Sequence, residues 1–182
     1  MTDNNLSDFA RMGFELTVDS AVGGWGGTHI DRNIIGPFSY ISPAGSLFAI
    51  SFVANASGGV NTCSTVWGNT INGTSGNAQW GLEIGNPGPV GVSVEHNTMT
   101  NVDAPMYISS AIGTEIENNI MTNFGNDPPY DSGAFNQDGG YDGTEWIGTN
   151  TINGSQITGD GGYLGHGPYG TKPPVCSPSK RF

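Results

Sequence analysis

The sequence has few basic residues, and this scarcity argues against two classes of partner. Lys and Arg total 5, against 16 Asp and Glu, which gives a formal net charge of −11. Lys172, Lys180 and Arg181 lie in the C-terminal tail, so only Arg11 and Arg32 precede it. Nucleic acids and anionic membrane surfaces are bound through basic patches. We therefore expect neither a nucleic acid nor a membrane as a partner of this acidic protein.

Cysteines and long apolar runs are also scarce. Two cysteines, Cys63 and Cys176, are too few for a disulfide framework, and one bond between them or two unpaired thiols both stay open. No apolar run reaches the length of a membrane-spanning helix, and no signal peptide is evident at Met1. We expect a mature or excised piece that works outside the cell or on its surface, or alternatively in a virion appendage.

The sequence does contain a repeat. Residues 94–102 read V-E-H-N-T-M-T-N-V, and residues 116–124 read I-E-N-N-I-M-T-N-F. Three weaker copies share the pattern of an apolar residue, two polar residues, Asn, any residue, Ile or Met, and then Asn, Thr or Gly. The anchor asparagines are therefore separated by steps of 36, 28, 22 and 31 residues, and they are Asn33, Asn69, Asn97, Asn119 and Asn150.

A fixed motif with a variable spacer predicts a solenoid. Units that recur every twenty to fifty residues bury their apolar faces against their neighbours. The apolar residues on either side of each anchor can both point inward if the chain turns at the asparagine between two short strands. An asparagine in such a turn offers two donors and an acceptor. We therefore expect the five anchors to form a hydrogen-bonded ladder along the stack.

The frame V/I-x-x-N-x-I/M-x-N resembles the repeat of the right-handed parallel β-helices of the pectate-lyase-like superfamily. The resemblance covers about residues 25 to 157 and implies an all-β fold. That fold would be a single-stranded right-handed parallel β-helix (solenoid) of about five to seven coils. We expect an N-terminal cap and first strand in residues 1–24, the β-helix repeats in 25–157, and a Gly/Tyr loop with an extended tail in 158–182.

The register of the repeats predicts a candidate site. If the residue three before each anchor points inward, the residues two and four before it point outward. Glu95, Glu115 and Glu117 would then cluster as candidate catalytic carboxylates, because glycoside hydrolysis uses two carboxylates about 5 to 9 Å apart. Flat aromatic rings stack on sugars. The candidate substrate-binding residues are Trp67, Trp146, Asp31 and the loop residue Tyr141.

Two other interpretations concern the same acidic residues. The carboxylates could form a solvated surface ladder that binds nothing. Alternatively, the relatives that cleave uronate polymers by elimination use an Arg or Lys base, with Ca²⁺ or other cations neutralising the substrate. Asp138 and Asp142 are weak candidates for a Ca²⁺ site, although their spacing matches no known calcium motif. No cofactor is required, and Ca²⁺ is left open.

Three functions remain in view. The first is an extracellular carbohydrate-binding or carbohydrate-processing domain for neutral or cationic polysaccharide, in which a glycoside hydrolase is favoured over a lyase if the protein is an enzyme at all. The second is a non-enzymatic structural subunit or adhesin of an extracellular fibre or phage appendage, which would associate with itself through the ends or sides of the β-helix. The third is a Ca²⁺-dependent polysaccharide lyase.

Overall fold

A computed structural model gives the fold and describes residues 1–9, 12–18, 27–38, 47–54, 64–74, 79–85, 92–108, 114–124, 133–137 and 146–159. Within these ranges the backbone forms seventeen short strands and no helix, so no helix there could cross a membrane. In chain order the strands are β1 (Asn5–Leu6), β2 (Met12–Val18), β3 (His29–Asp31), β4 (Ile34–Ile35), β5 (Leu47–Ala54), β6 (Ser64–Trp67), β7 (Thr70–Asn72), β8 (Gln79–Gly85), β9 (Val92–Glu95), β10 (Thr98–Thr100), β11 (Ala104–Ile108), β12 (Glu115–Glu117), β13 (Ile120–Thr122), β14 (Phe135–Gln137), β15 (Trp146–Ile147), β16 (Thr149–Ile152) and β17 (Ser155–Thr158).

The chain visits three sheets in a fixed rotation. Sheet A contains β3, β6, β9, β12 and β15; sheet B contains β1, β4, β7, β10, β13, β16 and β17; sheet C contains β2, β5, β8, β11 and β14. Neighbouring strands are parallel, except that β17 runs antiparallel to β16. The prediction of an all-β chain with parallel sheets is confirmed, and the arrangement is compatible with a β-solenoid.

The core lies between the three sheets. The five residues three positions before the anchors are at most 3 % exposed, and the five residues two positions after the anchors are equally buried. Sheet C adds larger side chains to the same core, among them Phe52, Leu82 and Phe135. The motif thus places one apolar residue on each side of the asparagine, and both point inward. The ten flanking residues are Ile30, Val66, Val94, Ile116, Ile147, Ile35, Ile71, Met99, Met121 and Ile152.

The N-terminal residues extend the same sheets. Met1 to Asp3 run alongside β3, where the Asp31 N–H donates to the Met1 carbonyl at 3.0 Å and the Asp3 N–H donates to the Asp31 carbonyl at 3.2 Å. Strand β1 then pairs with β4, and β2 pairs with β5. The first eighteen residues therefore contribute one backbone segment to each of the three sheets.

Sheet C contains an irregularity that sheets A and B lack in the described ranges. The pairing of β8 with β11 skips Gly81 and Pro105. A Cβ atom on Gly81 would lie 2.4 Å from the Pro105 carbonyl oxygen, so the close approach of the two backbones requires glycine there. The irregularity turns the preceding side chains to the outer face. There Phe48, Trp80 and Ala104 form a second buried cluster, separate from the main core.

Candidate functional site

A tight turn joins sheet A to sheet B each time the chain passes between them. The connection is one or two residues long in every described passage. In four of the five passages the residue before the anchor has a left-handed backbone, with φ of 56° at Arg32, 65° at Gly68, 58° at His96 and 57° at Asn118; Thr149, before Asn150, is instead the first residue of β16. Each strand of sheet A therefore ends at the same point of the rotation. Its last outward side chains then fall into columns across the sheet.

The anchor asparagines hold these turns in register. Each Oδ1 accepts hydrogen bonds from the preceding anchor, as where the backbone N–H and the Nδ2 of Asn69 donate to Asn97 at 3.0 and 2.9 Å. Nδ2 also donates to a backbone carbonyl of the neighbouring strand of sheet A, for example from Asn97 to Val66 at 2.9 Å. All five anchors are at most 1 % exposed, so every polar group needs a partner inside the protein. We call these asparagines the inner ladder: Asn33, Asn69, Asn97, Asn119 and Asn150.

The inner ladder has a sixth member that the sequence analysis missed. Asn4 donates from its Nδ2 to the Asn33 Oδ1 at 2.9 Å and from its backbone N–H at 3.0 Å. Asp3, which precedes it, has the same left-handed φ of 56°. The signal in the sequence was Leu6, the apolar residue two positions after Asn4. Residues 1–6 read M-T-D-N-N-L, so Met1 is the apolar residue three before Asn4, and Thr2 and Asp3 are the two polar residues between them.

The carboxylates of Glu95, Glu115 and Glu117 lie together on the outer face of sheet A. One oxygen of each lies within 4.8 Å of one oxygen of the other two. Strand pairing explains this, because Glu117 is the direct partner of Glu95 and Glu115 is the direct partner of Ser93. Ser93 donates a short hydrogen bond to Glu95. Glu115 is only 7 % exposed although its side chain belongs to the outer face.

Two tryptophans border the carboxylates. Trp67 is the strand partner of both Asp31 and Glu95, so an indole stands between two acidic side chains. Its ring centroid lies 5.6 Å from that of His96. Trp146 is the strand partner of Glu115 on the other side. We call Asp31, Trp67, the three glutamates and Trp146 the Trp–Glu face.

Gly148 makes room for the second tryptophan. A Cβ atom on Gly148 would lie 2.5 Å from Cη2 of the Trp146 ring and 2.9 Å from Cβ of Glu117. The indole therefore lies along its own strand and covers the position where the next outward side chain would stand. This placement brings the ring beside Glu117 as well as Glu115, and it helps to explain why Glu115 is shielded from solvent.

Hydrogen bonds fix the acidic end of the face near β3. The Thr65 hydroxyl donates to Oδ1 of Asp31 at 2.8 Å. Nδ1 of His29 lies 2.8 Å from the same hydroxyl oxygen and 4.0 Å from Oδ2 of Asp31. Since the threonine proton is already directed to Asp31, Nδ1 of His29 must be the donor in its contact with Thr65. At the centre of the face, Nδ1 of His96 lies 3.7 Å from Oε2 of Glu95.

Arg32 is the single Lys or Arg in the described part of the chain, and it is engaged away from the three glutamates. It donates from Nε and Nη2 to the two carboxylate oxygens of Asp3 at 2.9 and 2.8 Å. These hydrogen bonds hold the pKa of Asp3 below its ordinary value, and they raise the pKa of Arg32. Tyr141, Asp138 and Asp142, the other predicted site residues, lie outside the described residues.

The arrangement permits three kinds of chemistry. Indole faces beside carboxylates suit stacking on sugar rings together with hydrogen bonds from sugar hydroxyls. Carboxyl groups about 5 Å apart match the separation used by retaining glycoside hydrolases. Oxygens within 4.8 Å of one another are also close enough to share one divalent cation with Ca–O distances of about 2.4 Å. Glu95, Glu115 and Glu117 are the described residues that could hold such an ion.

Sheet C presents a second polar face that the sequence analysis did not single out. Its outward column runs through Glu15, Ser51, Glu83 and Tyr107, which are direct strand partners in that order. Ser51 donates a short hydrogen bond to Glu83. The ring of Tyr107 meets that of Trp80 edge-on, with centroids 5.1 Å apart.

Connection lengths are the signal that could have revealed this face. The described strands of sheet C are joined to the other sheets by three to twelve residues, against one or two between sheets A and B. Binding residues tend to lie next to long loops on a rigid scaffold. A simple alternation of apolar and polar residues does not predict this face. Residues that the strand pairing skips, such as Gly81 and Pro105, reverse which side chains point outward.

Comparison of the chain with protein-family models, with curated proteins and with solved structures finds no significant match.

Proposed function

We propose that this protein is a glycan-binding domain that acts outside the cell and is built on a right-handed, single-stranded parallel β-helix of the pectate-lyase-like type. The fixed rotation of the chain through three sheets supports the architecture, and so does the inner ladder, which adds one asparagine per passage. Sheets A and C each hold five described strands, within the five to seven coils expected from the repeat.

The observation that carries the binding proposal is the position of Trp67. Its indole is half-buried on an outer face, in register between Asp31 and Glu95. An aromatic ring in that setting contributes apolar stacking area, while the carboxylates on either side accept hydrogen bonds from hydroxyl groups. A chain of net charge −11 with four acidic residues on this face repels an anionic polymer. The proposed ligand is therefore a neutral or cationic polysaccharide.

Hydrolysis is a second candidate function for the same face. Glu115 is almost fully buried, whereas Glu95 and Glu117 are partly exposed, so neighbouring carboxyl groups have different surroundings. Such asymmetry is how glycosidases separate a general acid from a nucleophile. Glu115 would act as the acid and Glu95 or Glu117 as the nucleophile. Lyase chemistry has less support, because the expected base is an Arg or Lys, and Arg32, the single Arg or Lys in the described ranges, pairs with Asp3.

A polysaccharide binding screen on the wild type and on Trp67→Ala tests the proposal. The panel contains insoluble neutral glucans and xylans, cationic chitosan and anionic polygalacturonate. We expect the wild type to bind a neutral or cationic polymer, and Trp67→Ala to bind it roughly tenfold more weakly, the loss of about 1.4 kcal/mol of stacking energy. Polygalacturonate should not bind.

Tyr107→Ala is the matched control, because it removes a half-buried aromatic ring from the outer face of sheet C. We expect this variant to bind as the wild type does. Binding that is lost in Tyr107→Ala and kept in Trp67→Ala would move the glycan site to sheet C. A folded wild type that binds no neutral or cationic polymer would end the proposal and favour a structural subunit.

A further inference from the structure

The sequence contains the pair Asn-Gly twice, in nearly the same local setting. Residues 70–74 read T-I-N-G-T and residues 151–155 read T-I-N-G-S, and both asparagines lie three positions after an anchor of the inner ladder. Asparagine is a thermolabile residue, and a following glycine has no Cβ atom to keep its backbone nitrogen away from the asparagine side chain. Because the neighbouring residues are almost identical, a difference in reactivity between Asn72 and Asn153 in the folded protein must come from the fold.

The first pair is packed inside the stack. The Gly73 N–H donates to the Thr100 carbonyl at 2.9 Å, and Oδ1 of Asn72 accepts a hydrogen bond from Nδ2 of Asn101 at 2.8 Å. Gly73 is buried, and a Cβ atom on it would overlap the Asn101 carbonyl oxygen. The backbone nitrogen of Gly73 is therefore held by a hydrogen bond at a place where the chain has no room to rearrange.

The second pair lies in an exposed turn. Asn153 and Gly154 are the two residues between β16 and β17, and both are exposed. Oδ1 of Asn153 accepts a hydrogen bond from the Asn123 N–H at 3.1 Å. Within the described ranges the Gly154 N–H has no hydrogen-bond partner, and a Cβ atom on Gly154 would meet nothing within 4 Å. Both asparagines thus accept a hydrogen bond at Oδ1, and the two pairs differ in the surroundings of the glycine nitrogen.

We infer that Asn153 is a site of spontaneous self-modification and that the fold protects Asn72 from the same reaction. The Gly154 nitrogen loses its proton to solvent and attacks Cγ of Asn153. A bond forms between this nitrogen and Cγ, the bond between Cγ and Nδ2 breaks, and Nδ2 leaves as ammonia. Water then opens one of the two C–N bonds of the cyclic imide, which leaves aspartate or iso-aspartate at position 153. The reaction needs water alone and no oxidant or reductant.

The modification alters the hairpin at the end of sheet B. Strand β17 is the last strand of that sheet and pairs antiparallel with β16. Iso-aspartate routes the backbone through the former side-chain carbon, so the two-residue turn gains one atom and a negative charge. We expect the pairing of Ile152 with Ser155, next to the turn, to weaken first. This reaction is independent of the Trp–Glu face and of glycan binding.

The test incubates the folded wild type in mildly alkaline buffer and follows both pairs by peptide mass mapping. Chymotrypsin separates them, because it cuts after Trp67 and Trp80 around the first pair and after Trp146 before the second. Replacement of an amide NH₂ by OH raises the mass of the modified peptide, and protein digested without incubation gives the baseline. We expect Asn153 to react at least about tenfold faster than Asn72, which corresponds to a local opening of about 1.4 kcal/mol or more at Asn72.

The same incubation in urea sufficient to unfold the chain is the matched control. Unfolding removes the hydrogen bonds and leaves two nearly identical sequences, so Asn72 and Asn153 should then react at similar rates. A folded wild type in which both asparagines react equally overturns the inference. So does a folded wild type in which Asn153 stays intact under conditions where the unfolded chain reacts, or an unfolded chain that keeps the full difference between the two sites.

Discussion

The protein contains two asparagine ladders on either side of sheet B, and they differ in regularity. The five anchors of the inner ladder are buried, and the same amide hydrogen bond joins each of them to the next. An outer ladder follows the strands of sheet B: Asn101 donates to Asn72 at 2.8 Å, Asn123 donates a short hydrogen bond to Asn101, and the Asn123 N–H donates to Asn153 at 3.1 Å. Its members are exposed or half-exposed. Because water can replace a lost partner there, burial rather than residue type decides how strictly a ladder is maintained.

The largest expected loss of stability comes from placing a charge in the core beside the inner ladder. Ile116 is fully buried beside the turn that carries Asn119. Ile116→Asp would place a charge in the core with no partner, which costs on the order of 4 kcal/mol. We expect urea denaturation to show a midpoint far below that of the wild type. Asn118→Asp, which adds the same charge in the exposed turn two residues later, should change the midpoint little. Equal midpoints for Ile116→Asp and the wild type would mean that Ile116 faces solvent.

A smaller loss of stability is expected when one asparagine is removed from either ladder, and the two losses can be compared directly. Asn97→Ala removes the acceptor of two hydrogen bonds from Asn69 and both donors of its own amide. Buried groups left without partners cost about 1–3 kcal/mol each, so a total loss of about 3 kcal/mol is expected. Asn72→Ala in the outer ladder should lose less than about 1 kcal/mol, because water can reach Asn101. Thermal unfolding of the two variants measures the difference. Similar losses would show that burial does not separate the ladders.

The smallest expected loss of stability concerns the exposed ion pair of Asp3 and Arg32, next to Asn4 at the end of the inner ladder. Arg32 lowers the pKa of Asp3, so the ion pair stabilises the fold above about pH 3.9, the unfolded value for Asp. This contribution is lost as the pH falls through the lowered pKa of folded Asp3. Both side chains are exposed, so solvent keeps the contribution small. Asp3→Asn should therefore melt slightly below the wild type at pH 7, and this difference should be smaller at pH 2. An equal difference at both pH values would exclude the ion pair as its cause.

The repeat made much of the fold predictable. The motif puts an apolar residue three before and two after each asparagine, and those positions are buried at Val94 and Met99, as at the equivalent residues of the other copies. Asn4 was missed because its copy of the motif, M-T-D-N-N-L-S, has Leu6 and Ser7 where the other copies have Ile or Met and then Asn, Thr or Gly. Sheet C could be predicted only in part, since Gly81 and Pro105 shift the alternation by one residue. Side-chain periodicity alone does not reveal such a skip.

For the candidate site, the sequence predicts which outward side chains of sheet A are neighbours in a column. Parallel pairing in register places Glu117 beside Glu95 as soon as the anchors are aligned. The burial of Glu115 was not predictable, because it depends on where the Trp146 ring lies, and that ring occupies space left by Gly148. Strand register fixes which residues are neighbours, whereas rotamers decide which of them solvent reaches.

The hairpin formed by β16 and β17 has a consequence for how the chain folds. Its two strands pair across Asn153 and Gly154, whose φ values of 46° and 83° match the type I′ turn that suits the twist of a hairpin. All its contacts lie within nine residues, whereas each inner-ladder contact spans 22 to 36 residues. Hairpins of this kind form in about 1–10 μs, and their local contacts cost less loop-closure entropy than ladder contacts between residues far apart in the chain. We therefore expect the β16–β17 hairpin to form first and to leave one edge of β16 free for pairing. The other strands would then add in order, so that the stack grows from its C-terminal end toward Met1.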